Sequence, residues 1–282
     1  MWLLIDTSYI IFAKFFATAT WAAQCAAGEG AMGEAFLRRF DEQFVRAVNR
    51  AMAHAGVCGY RNVVFCKDCS RSNVWRKRLF PQYKSGRPIN GVFDKRIFAH
   101  VYTRLLPGLS GSHVVGALRA EADDVIAVLR DRLDKVSVLT NDNDCIQLAD
   151  SRCRVFNLNL FDVAARRRGM SERQHLLCRI LSGDRSDSIP CVIPGRSLVT
   201  VVRGSSESDI LCALSEPEAA RFWRNDHLMN LTRLPPDIVH AVISAAIRSG
   251  VLEGPERRLR PDPSFPIWGE IDAPGPTAAR AR

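Results

Sequence analysis

Short apolar runs alternate along the chain with longer stretches in which apolar residues recur at helical spacing. Leu3 to Ile5, Val63 to Cys66, Val114 to Ala117 and Val136 to Leu139 are brief, apolar and bounded by polar residues or glycine, which predicts four buried strands. Between them, Ala35 to Ala55 places Phe36, Phe40, Phe44, Val45, Val48 and Met52 near the period of an α-helix, and Val125 to Leu133 repeats the pattern. Strands that alternate with helices predict an α/β fold with a mostly parallel central sheet flanked by helices. Beyond Leu158 the strand signals fade and helical ones dominate, from Ser171-Glu172 through Ile243 and Ala246. The expected organisation is an α/β domain over 1–180, a helical subdomain over 181–253 and a poorly packed Pro-rich tail over 254–282.

With 282 residues and 47% hydrophobic content the chain can bury a sizeable core. A net charge of +9 favours a polyanionic partner, because clustered Lys and Arg release counterions when they neutralise phosphates. Nucleic acid is preferred over a membrane, since no stretch approaches the roughly 20 apolar residues of a spanning helix. The start, Met1-Trp2-Leu3-Leu4-Ile5-Asp6, lacks a basic n-region and reads as a strand rather than a signal peptide. Nine Cys without regular spacing indicate a reducing intracellular compartment, cytoplasm or nucleus. Cys66 and Cys69 form a C-x-x-C pair, but no second pair follows at zinc-site spacing.

Acidic residues recur where the predicted strands end. Asp6 follows the first, Asp68 the second, Glu121, Asp123 and Asp124 the third, Asp142 and Asp144 the fourth. In an open parallel sheet these exits share one edge, which is where such folds bind ligands. Asp184 and Asp187, where the chain enters its helical part, extend the set. So many carboxylates cannot all stay ionised side by side without cations, and oxygen-only ligation suits Mg²⁺ or Mn²⁺. Each motif also has an ordinary explanation: Glu121-Ala122-Asp123-Asp124 as acids in a first helical turn, Asp142-Asn143-Asp144 as an Asx turn. Helix dipoles and turns give no reason, however, for acids to recur at successive strand exits.

From Arg61 to Arg104 the chain has eleven Lys or Arg against two Asp. Trp75-Arg76-Lys77-Arg78-Leu79-Phe80-Pro81-Gln82-Tyr83-Lys84-Ser85-Gly86-Arg87-Pro88 interleaves aromatics with cations, the combination expected of a single-strand binder. The alternative is a solvated basic face beside core aromatics.

The order of these pieces resembles the 5′ nucleases, a group that includes flap endonucleases, bacteriophage 5′ to 3′ exonucleases and the 5′ nuclease domain of bacterial DNA polymerases. The likeness runs from Met1 to about Val201 and rests on Glu121-Ala122-Asp123-Asp124, Thr140-Asn141-Asp142-Asn143-Asp144-Cys145, Gly183-Asp184-Arg185-Ser186-Asp187-Ser188-Ile189-Pro190 and Phe80 to Pro88. The resemblance implies a PIN-like core with a helix-three-turn-helix-like C-terminal subdomain, and two-metal hydrolysis of DNA at 5′ flaps and 5′ ends. One Mg²⁺ would involve Asp68, Glu121 and Asp123, with Asp6 nearby through water. The other would involve Asp142, Asp144, Asp184 and Asp187, with Asp123 or Asp124 between the two. Mn²⁺ would substitute. The segment at about 70–105 would be a helical arch for a free 5′ strand, with Lys84 on the scissile phosphate and Tyr83 its stacking neighbour. Arg76, Lys77, Arg78 and Arg87 would track the strand. Asp123, Asp142 and Lys84 would carry the chemistry.

The chain also departs from that pattern. The usual glycine-rich hairpin is here Cys191-Val192-Ile193-Pro194-Gly195-Arg196-Ser197-Leu198, which should weaken duplex grip or a bound K⁺. The spacing from Asp68 to Tyr83 is one residue longer than in the bacterial enzymes. No sliding-clamp motif is evident, and no polymerase domain follows, so the expectation is a stand-alone, monomeric nuclease. A non-catalytic DNA-binding or scaffolding protein and a PIN-like ribonuclease are the alternatives.

Overall fold

The computed structural model describes residues 1–24, 32–86, 91–194 and 198–253. Five parallel strands, β1 (Trp2–Asp6), β2 (Val63–Cys66), β3 (His113–Val115), β4 (Val136–Leu139) and β5 (Cys153–Phe156), form one sheet in the order β3-β2-β1-β4-β5. Alternate side chains of each strand enter opposite cores. Leu3, Ile5, Val63, Phe65 and Leu139 face α1 (Thr7–Gln24) and α2 (Glu34–Ala55). Leu4, Val64, Cys66, Val136 and Val138 face the opposite layer. Both faces being covered, the strands read as continuous apolar runs.

The sequence left two elements unmarked. Helix α1 opens on Thr7-Ser8-Tyr9-Ile10-Ile11-Phe12, a poor helical start by propensity. It forms because the Asp6 carboxylate accepts from the Tyr9 amide at 3.1 Å and caps it, while Ile10, Ile11 and Phe15 are fully buried. Strand β5 carries Arg154 to solvent within four residues, an edge-strand pattern too short to register as alternation. Helix α2 follows the expected period and ends at Gly56 (φ 69°), whose amide and that of Val57 close back on Ala53 and Met52.

The segment expected to form a helical arch is anchored to the body of the protein by the buried Val74, Trp75, Arg76, Tyr83, Ile97 and Val101. Helix α3 (Arg76–Leu79) has four residues, and α4 (Arg96–His100) runs into a π-turn over Val101–Leu105. Ile97 and Val101 are fully buried with α1 and α2, and His100 Nε2 lies 2.8 Å from Asp41 Oδ1. Phe93 packs on Phe15 with ring centroids 4.8 Å apart. Among the described residues, no pair of long helices stands clear of the sheet.

The domain boundary also differs from expectation. Beyond α5 (Ala122–Arg132), helices α6 (Glu172–Ser182), α7 (Leu198–Gly204), α8 (Glu207–Cys212) and α9 (Glu216–Met229) share a core of Leu176, Leu177, Ile180, Leu181, Val202 and Phe222. Helix α10 (Pro236–Arg248) returns to the sheet: Ile238, Val242, Ala245 and Ala246 pack with α5. The helical unit therefore begins at α6 and ends with α9, because the apolar face of α10 matches the sheet layer. The tail over 254–282 lies outside the described residues. No helix among the described residues is long and apolar enough to cross a membrane.

Candidate metal centre and nucleic-acid interface

The strand order reverses at β1, so the exits of β1 and β4 flank the crevice where open α/β sheets bind ligands. Asp6 stands at that point, its Oδ2 accepting from Thr140 Oγ1 at 3.0 Å. Asp68, just past β2, accepts from the Ala122 amide at 2.8 Å and from Ser8 Oγ. Asp123 occupies the first turn of α5, with Cys145 Sγ 3.4 Å from its Oδ1. Beyond β4, Thr140 Oγ1 accepts from the Asp142 amide, and Asp142 Oδ1 accepts from the Asp144 amide at 2.8 Å. That pair is an Asx turn as well as a set of site acids.

The last two acids depend on a glycine. Gly183 has φ 67°, and a Cβ there would lie 2.4 Å from the Ile189 carbonyl oxygen. The tight loop it permits is closed by paired amides of Asp184 and Ile189, and Asp184 Oδ1 accepts from the Ser186 amide at 2.7 Å. The loop meets the basic segment where the Lys84 amide donates to the Asp187 carbonyl at 2.9 Å.

The acids repel one another across this edge. Burial first, then the charges of Asp68 and Asp142, push Asp6 up to about 7. Burial and then Asp142 push Asp144 up to about 7, with Asp187 and Asp184 adding to the effect. Burial and the Asp142 and Asp6 charges hold Asp123 well above the ordinary carboxylate range. Among the described residues no three of these groups close around a single ion-sized point. The donor set nonetheless fits hard divalent cations, being all oxygen and too crowded to ionise fully alone.

This repulsion has a measurable consequence. A carboxyl whose folded pKa is raised gives stability that is complete below its unfolded value, near 3.8, and is lost as pH rises through its folded value. Metal-free protein should therefore lose stability to Asp6 and Asp144 between about pH 4 and 7. His175, pushed down to about 4 by burial, works in the opposite direction over part of that range. The Asp6→Asn variant isolates the effect: its thermal midpoint in chelator should fall less from pH 5 to 7 than that of the wild type, and saturating Mg²⁺ should narrow the difference. Parallel curves in chelator would contradict the assignment.

Two bases stand among the acids. Lys84, with a left-handed φ of 57°, places Nζ against Glu121 Oε1 and 3.7 Å from Asp187 Oδ2. Arg179, on α6, bridges Asp144 and Asp184. Burial would raise the Glu121 pKa, but Lys84 and Arg76 prevail and hold it below the usual range. Sequence reasoning missed Arg179 and Ser8, which lie outside every motif it singled out.

The sequence matches the family described as "5′-3′ exonuclease, N-terminal resolvase-like domain" over residues 1–176. The chain belongs to that family. It resembles the "Flap endonuclease Xni" proteins of Shewanella baltica strains OS155 and OS185, each 33% identical over 128 residues, 41% of this chain and 47% of the relative. The chain thus matches about half the length of these curated relatives. Its fold is like that of the bacteriophage T5 flap endonuclease in a complex with DNA and metal ions (TM-score 0.60, 15% identity, 86% of this chain and 92% of the other). It is also like that of T5 5′-exonuclease with zinc bound (TM-score 0.58, 16% identity, 87% and 93%).

Within this 5′-3′ exonuclease member, three residues differ from their sequence-based assignments. Asp124 is fully buried and turned away from the other acids. Its oxygens accept from Arg76 Nη2 (2.7 Å), Arg76 Nη1 (3.0 Å), Trp75 Nε1 (3.0 Å) and the Glu121 amide (2.8 Å), so it is a helix anchor rather than a metal ligand. Arg76, 3% exposed, is spent on Asp124, on Glu121 and, through Nε, on the Leu228 carbonyl of α9, which leaves nothing for a phosphate. Tyr83, 4% exposed, packs with Val74, Ile189, Leu228 and Met229 and donates its hydroxyl to Glu121 at 2.9 Å. Its ring offers no face to a base. Lys77 is half-buried and Arg78 exposed on α3. Arg87 and the hairpin residues 195–197 lie outside the described residues, whereas Val192 and Ile193 of that hairpin belong to the helical core. Cys66 is buried in the sheet and Cys69 is half-buried, both as free thiols.

Proposed function

We propose that this chain is a structure-specific 5′ nuclease that hydrolyses DNA phosphodiester bonds at 5′ flaps and from 5′ ends with two Mg²⁺ ions. The observation that carries the reading is the convergence of Asp6, Asp68, Glu121, Asp123, Asp142, Asp144, Asp184 and Asp187 on one sheet edge, in one mutually repelling field with Lys84 among them. Asp68, Glu121 and Asp123, with Asp6 behind them, would hold one ion, and Asp142, Asp144, Asp184 and Asp187 the other, with Asp123 between. Bound there, the ions would lower the pKa of an attacking water and offset charge on the phosphate and the leaving 3′ oxygen.

The chain's own residues orient this chemistry. Ser8, Thr140 and the Ala122 amide fix Asp68 and Asp6 by hydrogen bonds. Arg76 and Tyr83 hold Glu121 from behind. The Lys84 ammonium, set between Glu121 and Asp187, would exchange onto the scissile phosphate as negative charge develops there. Lys77 and Arg78 would follow the strand through its phosphates. The substrate is DNA with a free 5′ end or flap, bound by a monomer.

The test is cleavage of labelled flap, nicked and single-stranded DNA, and of an RNA flap, with Mg²⁺, with Mn²⁺ and with chelator. DNA flaps should be cut in either metal and remain intact in chelator. Binding without cleavage of any substrate would leave a non-catalytic DNA-binding protein, and faster cutting of RNA would leave a ribonuclease. Run in K⁺ and in Na⁺, the same assay tests whether the turn after Asp187 uses a K⁺ ion.

A further inference from the structure

Arg179 projects from the last turn of α6, and none of the chemistry above uses it. Its Nη2 lies 2.7 Å from Asp144 Oδ1 and 2.8 Å from Asp184 Oδ2, and its Nε lies 2.9 Å from the same Asp144 oxygen. One cationic nitrogen thus bridges two acids assigned to the same ion. A divalent ion held by Asp144 and Asp184 would have to take the place of the guanidinium between them. At the other assigned site Glu121 is held by Arg76 and Lys84, whereas among the described residues Asp6, Asp68 and Asp123 form no ion pair with Lys or Arg.

A guanidinium cannot surrender its proton in a protein, so it cannot vacate this position by becoming neutral. It leaves only by swinging out. The Arg179 side chain is 17% exposed, beside Asp144 and Asp184 at 19% each, so the pair sits at the rim of the crevice, with solvent available to receive the displaced group.

Building on the two-ion reading above, we propose that Arg179 is a built-in counter-ion for the site of Asp142, Asp144, Asp184 and Asp187. It draws Asp144 and Asp184 together while that site holds no divalent ion, and it must be displaced when one enters. The site of Asp142, Asp144, Asp184 and Asp187 then opposes its own occupancy by the strength of the Arg179 bridge. Arg179 is a positioning residue in this scheme, setting the ion concentration at which the centre is complete.

The experiment is calorimetric titration of the DNA-free protein with Mn²⁺, beside thermal unfolding in chelator and in saturating Mn²⁺. Wild type should show two binding events. In Arg179→Met one event should tighten by on the order of tenfold, the scale on which one neighbouring charge changes a carboxylate's affinity for a cation, and the other should hold. The variant should also unfold at a lower temperature than wild type in chelator, and the gap should close in saturating Mn²⁺. Arg179→Lys keeps a charge without the two-oxygen bridge, folds on that account, and should fall between the two.

Binding in which neither event tightens in either variant would overturn the proposal. So would a stability gap that persists in saturating Mn²⁺, since Arg179 would then be an ordinary structural ion pair. Those outcomes leave the nuclease reading standing. A wild-type protein that takes up no divalent ion overturns both.

Discussion

Replacing Asp142 with alanine should lower the single-turnover rate of flap cleavage by about 10³-fold or more, the scale of several kcal/mol of lost metal stabilisation, and leave DNA affinity within about threefold. Asp142 stands at the β4 exit beside the point where strand order reverses, and its charge acts on Asp6, Asp123 and Asp144 alike. It also accepts from the Asp144 amide, so alanine removes both a charge and a loop hydrogen bond. Asp142→Asn separates the two, because an amide oxygen keeps the turn and loses the charge. Equal loss in both variants assigns the effect to the carboxylate. An active Asn variant would reduce Asp142 to a turn former and break the second ion's ligand set.

Arg76→Met should destabilise the fold by about 3–5 kcal/mol, because it strands the fully buried Asp124 without its charge partner. For a chain of this size that is a fall in thermal midpoint on the order of 10 °C. The double variant Arg76→Met with Asp124→Asn should recover part of the loss, as the two sites share one interaction. The same guanidinium ties α3 to the Leu228 carbonyl of α9, so the helical unit should gain protease sensitivity in the single variant. Affinity for single-stranded DNA should change little. Intact stability with collapsed affinity would restore the phosphate-contact role that the sequence suggested for Arg76.

The sequence by itself determined the sheet core and the acids. Strands Val63–Cys66 and Val136–Leu139 and the α2 helix were legible from apolar spacing, because burial on both faces or on one stripe dictates residue type at every position. Acids at single strand exits had ordinary local explanations, but their recurrence at four exits had none, and the parallel topology then brought them to one edge without further instruction. Only the tertiary structure decided which charged groups face that edge. Asp123 and Asp124 are neighbours on one helical turn, yet one enters the crevice and the other is buried against Trp75 and Arg76; helix phase relative to the sheet separates them, and composition carries no trace of it. Arg76 and Lys84 were alike as basic residues among aromatics, but α9 packs over the first and sequesters it, whereas the second turns at a positive φ toward Glu121 and Asp187. Arg179 was silent for the same reason. A cation's role is set by the carboxylates it meets across the fold, and those lie 35 residues away at Asp144 and across the loop that Gly183 makes possible at Asp184.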